Sequence, residues 1–386
     1  MGVDLGEWLN LAIRWLHLTA GIAWIGSSFY FVWLDNHLVK PAEGDASGEL
    51  WSVHGGGFYH NRKYQVAPSH MPERLHWFKW EAYFTWISGF SLLVLIYYVG
   101  AQSFLIDPAK VMMSPGAAIA VGLAALALGW LVYDGLCRSP LGSNDLLLGA
   151  FWFVCLVWAA FLLDHLFSSR AAYLHVGAIV GTAMVGNVFF VIIPNQRRVV
   201  ADLIAGRTPD PALGAAAKQR SLHNNYMTLP VLFIMISPHY PMTYGAQRPW
   251  LVLALLGLTG IAVRHVFNRR GRGRTTGPTS AVAAALALAT VSYVTLERRA
   301  AAPGRAGTPA FAQIEPILAT HCAGCHGADP PPAGVALDSW ERVRAASARI
   351  KAVAVDSHVM PLGNPTGMTQ AERQTLGAWI AAGSPR

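Results

Sequence analysis

Residues 321–327 read HCAGCHG, which sets the thiols of Cys322 and Cys325 beside the imidazole of His326. Two thiols at C-x-x-C spacing can each form a thioether to a porphyrin vinyl group while the adjoining histidine ligates the iron, the arrangement of one covalent haem c. The opposite axial position suits a thioether sulfur from a loop a few tens of residues on, which raises the potential of the couple. Met360, in SHVMPLGNPTGMT, is that candidate, with Pro361 stiffening its approach, and Met368 is the alternative. A zinc knuckle or thiol redox pair competes for the same motif. Zinc needs a second ligand pair, and only His358 stands nearby.

The flanks FAQIEPILATHCAGCHG and MTQAERQTLGAWIAAG resemble the N-terminal and C-terminal helices of a class I cytochrome c domain. That resemblance implies two helices packed across each other around one haem.

Further chemistry sits inside apolar runs, where ionisable side chains are costly and are functional candidates by default. Asn10, Arg14, His17, Gly21, Trp24 and Ser28 recur at spacings of three and four, a polar stripe along an apolar helix. His17 and His175 fall toward one membrane face, His223 and His265 toward the other. Facing imidazoles can ligate a haem iron axially, so His17 with His175, and His223 with His265, are candidate ligand pairs for one or two haem b groups. The competing reading is that each histidine hydrogen-bonds a neighbouring helix.

The segment HGGGFYHNRKY (54–64) is too glycine-rich for a helix interior and carries too many functional groups for a plain linker. His54, His60 and Arg62 can receive a flat anion, with Phe58 and, further along, Trp80 as stacking surfaces. A metal is a further option for the His-rich stretch 54–76. In HWFKWEAYFTW (76–86), Glu81 lies deep without an adjacent cation, and Arg264 at the same end of a later helix is its expected partner.

The elements that must position these groups follow from composition. Of 386 residues, 53% are hydrophobic and only 13% charged, about half the usual charged fraction. Eight segments approach the roughly 20 apolar residues that span hydrocarbon, near 8–35, 76–100, 115–137, 145–166, 171–194, 221–239, 248–268 and 278–297. The net charge of +8 is not a nucleic-acid footprint, because the basic residues lie in the loops between those runs. Fourteen Lys and Arg in one set of loops against six in the other put the first set in the cytoplasm. The N-terminus and the C-terminal domain are then periplasmic. The expected architecture is all-α: a polytopic bundle of about eight transmembrane helices (1–299), a Pro/Gly/Ala linker (300–309) and a cytochrome c domain (310–386). No G-x-G-x-x-G signals a flavin or nicotinamide.

Taken together, RWLHLTAGIAWIGSSFYFVWLDNHL, VHGGGFYHNRKYQVAP and RLHWFKWEAYFTWISGF, followed by the HCAGCHG region, resemble the integral-membrane, cytochrome c-fused urate oxidases over essentially the whole chain. The resemblance implies oxidation of urate to 5-hydroxyisourate with water as the oxygen source and no hydrogen peroxide. It also implies electron export through haem c to a soluble cytochrome c or a terminal oxidase, in a bacterial inner membrane. Glu81 or His76, with Arg264, are then the catalytic candidates, Glu81 or His76 serving as general base for the attacking water. The alternative is an electron-transfer subunit fed by quinol or a partner dehydrogenase, which needs ligand histidines but no substrate pocket. Oligomeric state is not encoded in any of these motifs.

Overall fold

The computed structural model describes residues 5–64, 72–300, 309–327, 331–356 and 358–386. The expected linker 300–309, except its two end residues, lies outside them, as does His70 of the His-rich stretch.

Each of the eight apolar segments contains helix, the second only from Trp80 onward. α1 (Leu5–His37) leads into a hairpin of β1 (Gly48–His54) and β2 (Gly57–Lys63), then α2 (Trp80–Leu93), which widens into a π turn over Val94–Tyr98. A second π turn, Ala101–Leu105, precedes α3 (Pro115–Arg138) and α4 (Asp145–Leu166). α5 (Ser169–Gly186) runs through a π turn at Asn187–Ile192 into α6 (Ile193–Ile204). α7 (Pro211–Ile236), the short α8 (Pro241–Tyr244), α9 (Pro249–Gly271) and α10 (Gly277–Ala300) complete this part.

Local sequence explains the boundaries. Ser114, Asn144, Ser168 and Asp210 each accept a hydrogen bond from a first-turn backbone N–H of α3, α4, α5 and α7. Each such cap is worth about 1 kcal/mol. Pro115 and Pro211 follow two of these caps, where a missing N–H costs nothing.

Five helical stretches are long and apolar enough to cross a membrane: Pro115–Arg138, Asp145–Leu166, Ser169–Ile204, Pro249–Gly271 and Gly277–Glu297. α1, α2 and α7 fall short of that combined test. α2 is only 14 residues long before its π turn, and α7 carries Lys218, Gln219, Arg220, His223, Asn224 and Asn225 between positions 218 and 225. The five are not equivalent. The Ser169–Ile204 stretch is 67% buried, against 17–22% for the other four, so α5 with its π extension is the central helix. Around it the outer helices turn Leu128, Leu131, Leu146, Val154, Trp158, Leu288 and Val291 outward, as a lipid-solvated bundle requires.

The all-α expectation needs one correction. Residues 48–63 form a two-stranded antiparallel hairpin, with His54 opposite Gly57 and Trp51 opposite His60. Gly55 (φ 58°) and Gly56 (φ 79°) occupy the two turn positions that demand positive φ. The glycine run therefore makes a tight turn.

Residues 309–386 build a separate hydrophobic core. α11 (Phe311–His321) and α15 (Gln370–Ala381) enclose Ile314, Leu318, Leu337, Val343, Leu376 and Trp379. α12 (Ala323–His326), α13 (Trp340–Ala345), α14 (Ser347–Ile350) and a π turn at Lys351–Asp356 wrap around that core. The unit is seated on the bundle. A Cβ added at Gly363 would overlap the Gln102 carbonyl, and one at Gly245 the Asp356 carbonyl. Val359 packs against the core of the bundle itself.

Candidate functional site

The HCAGCHG segment closes α11 and forms α12, with Cys322 as the cap between them. Both thiols are free, Cys325 exposed and Cys322 partly buried. Burial pushes the Cys322 thiol up to about 11, so it is a protonated thiol at neutral pH. The ring of His326 is held by a 2.7 Å contact between Nδ1 and the Val335 carbonyl oxygen. That bond makes Nδ1 the donor and leaves Nε2 as the free ligating nitrogen. The other histidine of the segment has a different task. His321 Nδ1 lies 2.7 Å from Thr366 Oγ1 and its Nε2 3.2 Å from Glu372 Oε1, tying α11 to the start of α15.

The two methionines also differ. Met368 is 2% exposed and fills the core, its backbone clamped by the Asn364 side chain. Met360 lies at the core's edge, its N–H donated to the Val353 carbonyl and its own carbonyl held 2.7 Å from Arg373 Nη1. The same guanidinium nitrogen donates to the Ala354 carbonyl. Nearby, the Trp340 indole N–H is buried without an acceptor among the described residues. Two free thiols, one pre-oriented imidazole, an edge methionine and an orphaned N–H suited to a carboxylate form a donor set that fits a haem c.

The histidines in the helical bundle are each engaged by protein. His17 Nδ1 lies 2.9 Å from the Thr85 carbonyl and 3.2 Å from Ser88 Oγ, against α2. His175, fully buried, contacts the Ala171 carbonyl through Nδ1 (2.9 Å) and the Tyr98 hydroxyl through Nε2 (3.3 Å). A Cβ at Gly122 would come within 2.7 Å of that Nε2, so α3 presses directly on the ring. His223 Nδ1 pairs with Tyr133 Oη at 2.9 Å, and His265 Nδ1 with Tyr226 Oη at 2.7 Å. Of the expected pairs His17–His175 and His223–His265, the rings of His17, His223 and His265 are held through Nδ1, as His326 is, while His175 has both ring nitrogens engaged by protein.

The expected partnership of Glu81 with Arg264 is also replaced. Arg264 Nε donates to Asn225 Oδ1 at 3.0 Å, Asn268 Nδ2 shares that oxygen at 2.9 Å, and the guanidinium stacks 3.9 Å above the Phe29 ring. Glu81 keeps one buried carboxylate oxygen without a partner. His76 is exposed, its ring edge-on to Phe78.

The described hairpin side chains are largely exposed or paired with one another. Phe58 is 78% exposed, His60 stacks on Trp51 at 4.1 Å, and Glu49 takes His60 Nε2 at 3.0 Å and approaches Arg62 at 3.9 Å. His54 is at the exposed tip beside the turn, and Trp80 packs on Tyr83 and Phe84 of its own helix. Among the described residues no group of three or more His, Cys, Asp or Glu is placed to hold a metal ion.

Two features escaped the sequence reading. The first is a buried polar network on the central helix. Arg220 binds Asp134 (2.7 Å) and Asn187 (3.0 Å), and Asn187 donates to Tyr133 Oη (2.9 Å) and Asn224 Oδ1 (2.8 Å). The π turn that starts at Asn187 is the local signature of this strain-prone site, since π bulges gather at functional positions. Asn187 in an apolar run was the available signal. The second is a cavity of about 250 Å³ between the bundle and the C-terminal unit, lined among others by Asp107, Lys110, Arg170, His358, Asn364 and Arg373. Burial, with Arg373 and Lys110 adding to it, pulls His358 down to about 4, so that ring is neutral. No sequence spacing could reveal this cavity, because its walls come from separate parts of the chain.

Fold and site together define a helical membrane protein joined to a small helical unit bearing a C-x-x-C-H motif. The family described as urate oxidase N-terminal matches residues 4–295, and the chain belongs to that family. The match ends before the C-x-x-C-H unit begins. Searches among curated proteins and among solved structures return no match to the chain.

Proposed function

We propose that this chain oxidises urate to 5-hydroxyisourate in its membrane part and exports the electrons through a haem c held by Cys322, Cys325, His326 and Met360. The observation that carries the reading is the juxtaposition of a urate oxidase family region, 4–295, with a unit whose His326 is pre-oriented beside two free thiols. The reaction balances as urate plus water giving 5-hydroxyisourate, two protons and two electrons, with the new C–O bond formed from water. Haem c, when bound, supplies one-electron exchange, so the two equivalents pass singly to a one-electron acceptor such as a soluble cytochrome c or a terminal oxidase. Dioxygen is then not the oxidant and no hydrogen peroxide forms.

The chain's own residues have definable tasks. Val335 holds the His326 ring by its carbonyl, Arg373 holds the Met360 carbonyl, and Met368 stays in the core. The basic loops, including Arg138, Arg197, Arg198 and Arg269 to Arg274, lie at the opposite helix ends from Lys110 and Arg170, where the C-terminal unit docks. By the charge rule this supports a periplasmic position for the unit in a bacterial inner membrane.

The test is an anaerobic mix of oxidised, purified full-length protein with urate, followed by visible absorption and by product analysis in ¹⁸O-water. Reduction of the c-type band with label in the product is the expected result. A band that stays oxidised with urate but is reduced by a quinol would make the chain an electron-transfer module.

A further inference from the structure

We infer that the substrate anion binds in the cavity between the membrane bundle and the C-x-x-C-H unit, with its charge met by Arg170 and Arg373. The inference rests on the reading of the chain as a urate oxidiser and locates that chemistry on the face bearing the C-terminal unit.

Charge is the first argument. The cavity is lined by three cations, Lys110, Arg170 and Arg373, against one carboxylate, Asp107. Lys110 is already neutralised by Asp164 at 3.0 Å and surrounded by the Asp164 and Phe167 carbonyls. Arg373 spends Nη1 on the carbonyls of Ala354 and Met360. Arg170 is different: its Nε is buried with no hydrogen-bond partner, and among the described residues its guanidinium meets no carboxylate, only the Tyr97 hydroxyl. A buried guanidinium donor left unpaired is costly unless a ligand satisfies it, and its planar fork suits an oxygen-rich planar anion.

Size is the second. At about 250 Å³ the space lies just under the usual range of about 300–1,000 Å³ for ligand pockets, which selects a small bicyclic molecule over a larger one. Asp107 adds a hydrogen-bond acceptor to the wall, whereas the Asn364 side chain is spent on the Met368 backbone.

Electron transfer is the third. A substrate at the cytoplasmic end would have to send electrons across about 30 Å of hydrocarbon. Within the bundle, His175 has both ring nitrogens engaged by protein. The cavity wall instead includes Val359, the residue next to Met360, so a reductant bound there is adjacent to the loop expected to ligate the haem.

Two measurements on the full chain test this. The first is anaerobic equilibrium binding of urate to ascorbate-reduced protein, in which no turnover occurs. Arg170→Gln should weaken binding by about tenfold or more, the loss expected for a hydrogen bond to a charged group. Unchanged binding overturns the inference. The second uses wild-type protein in sealed proteoliposomes, with the C-terminal unit shown by protease accessibility to face outward. Urate, an impermeant anion, should reduce the haem on addition to the outside. Reduction only after the vesicles are permeabilised overturns the cavity assignment and leaves urate oxidation standing. No reduction even in detergent removes the urate reading itself.

Discussion

Arg373→Met tests the clamp on the loop proposed to supply the axial methionine of a haem c. Arg373 is 4% exposed and donates from one guanidinium nitrogen to the carbonyls of Ala354 and Met360. Methionine roughly conserves the side-chain length and its apolar packing while deleting every donor. Hydrogen bonds to a charged group are worth about 1.5–3 kcal/mol each. Part of that loss is offset, because a guanidinium no longer has to be desolvated; its burial already lowers its basicity. A net destabilisation of about 2–4 kcal/mol of the C-terminal unit follows. For a domain of about 60–100 residues each kcal/mol moves the midpoint by about 4–8 °C, so a fall of roughly 10 °C or more is expected. The assay is thermal unfolding of the oxidised full-length protein followed in the haem spectrum, together with the weak red-end band of methionine–iron ligation. That band should fade in the variant at temperatures where the unit is still folded, and Arg373→Lys should fall between the two. A midpoint within about 3 °C of wild type with the red band intact would refute the reasoning.

Gly363→Val places a branched side chain at φ 68° against the Gln102 carbonyl, so the C-terminal unit should lose its seat on the bundle. Urate-driven haem reduction should then slow by about tenfold or more while direct reduction by ascorbate stays normal, and equal slowing of both would contradict a docking role. Gly122→Val drives a methyl group into His175 and the Tyr98 hydroxyl, both under 3 Å from the added Cβ, and should cost about 1–3 kcal/mol of bundle stability, read as a lower midpoint in detergent. Glu372 is held down to about 2 by the backbone N–H and hydroxyl of Thr369 and by His321. Its folded value lies below the ordinary 4.5, so its contribution is present above about pH 4.5 and is lost as pH falls toward 2. Thr369→Ala should cost about 1 kcal/mol at neutral pH and flatten that acid decline, measured as denaturant midpoints between pH 7 and 3.

Much of the frame was legible along the chain. The segments expected at 115–137 and 145–166 match α3 and α4 to within a residue, because hydrocarbon demands a fixed apolar length and the capping residues Ser114 and Asn144 mark its edge. Where the reading stopped short, the cause was local as well. α7 starts at Pro211, ten residues before the apolar run at 221, because Asp210 caps it and its first turns are polar. The hairpin is hidden in a glycine run that suits neither a helix interior nor a plain linker, although Gly55–Gly56 between alternating residues is a turn signal in its own right.

Partnerships at a distance were decided by the tertiary structure alone. Glu81 and Arg264 carry opposite charges at one end of the bundle, yet the rotation of α7 presents Asn225 to Arg264 first. His17 and His175 look equivalent as polar interruptions, but one faces α2 and the other is enclosed by α3 and the π turn after α2. The cationic cavity joins Lys110 and Arg170 to Arg373, more than 200 residues further on. Helical length and C-x-x-C-H spacing are short-range properties, written in the residue types themselves. Which polar side chain meets which depends on how whole helices rotate and dock, and that is set by the sum of many small packing contacts that no single spacing records.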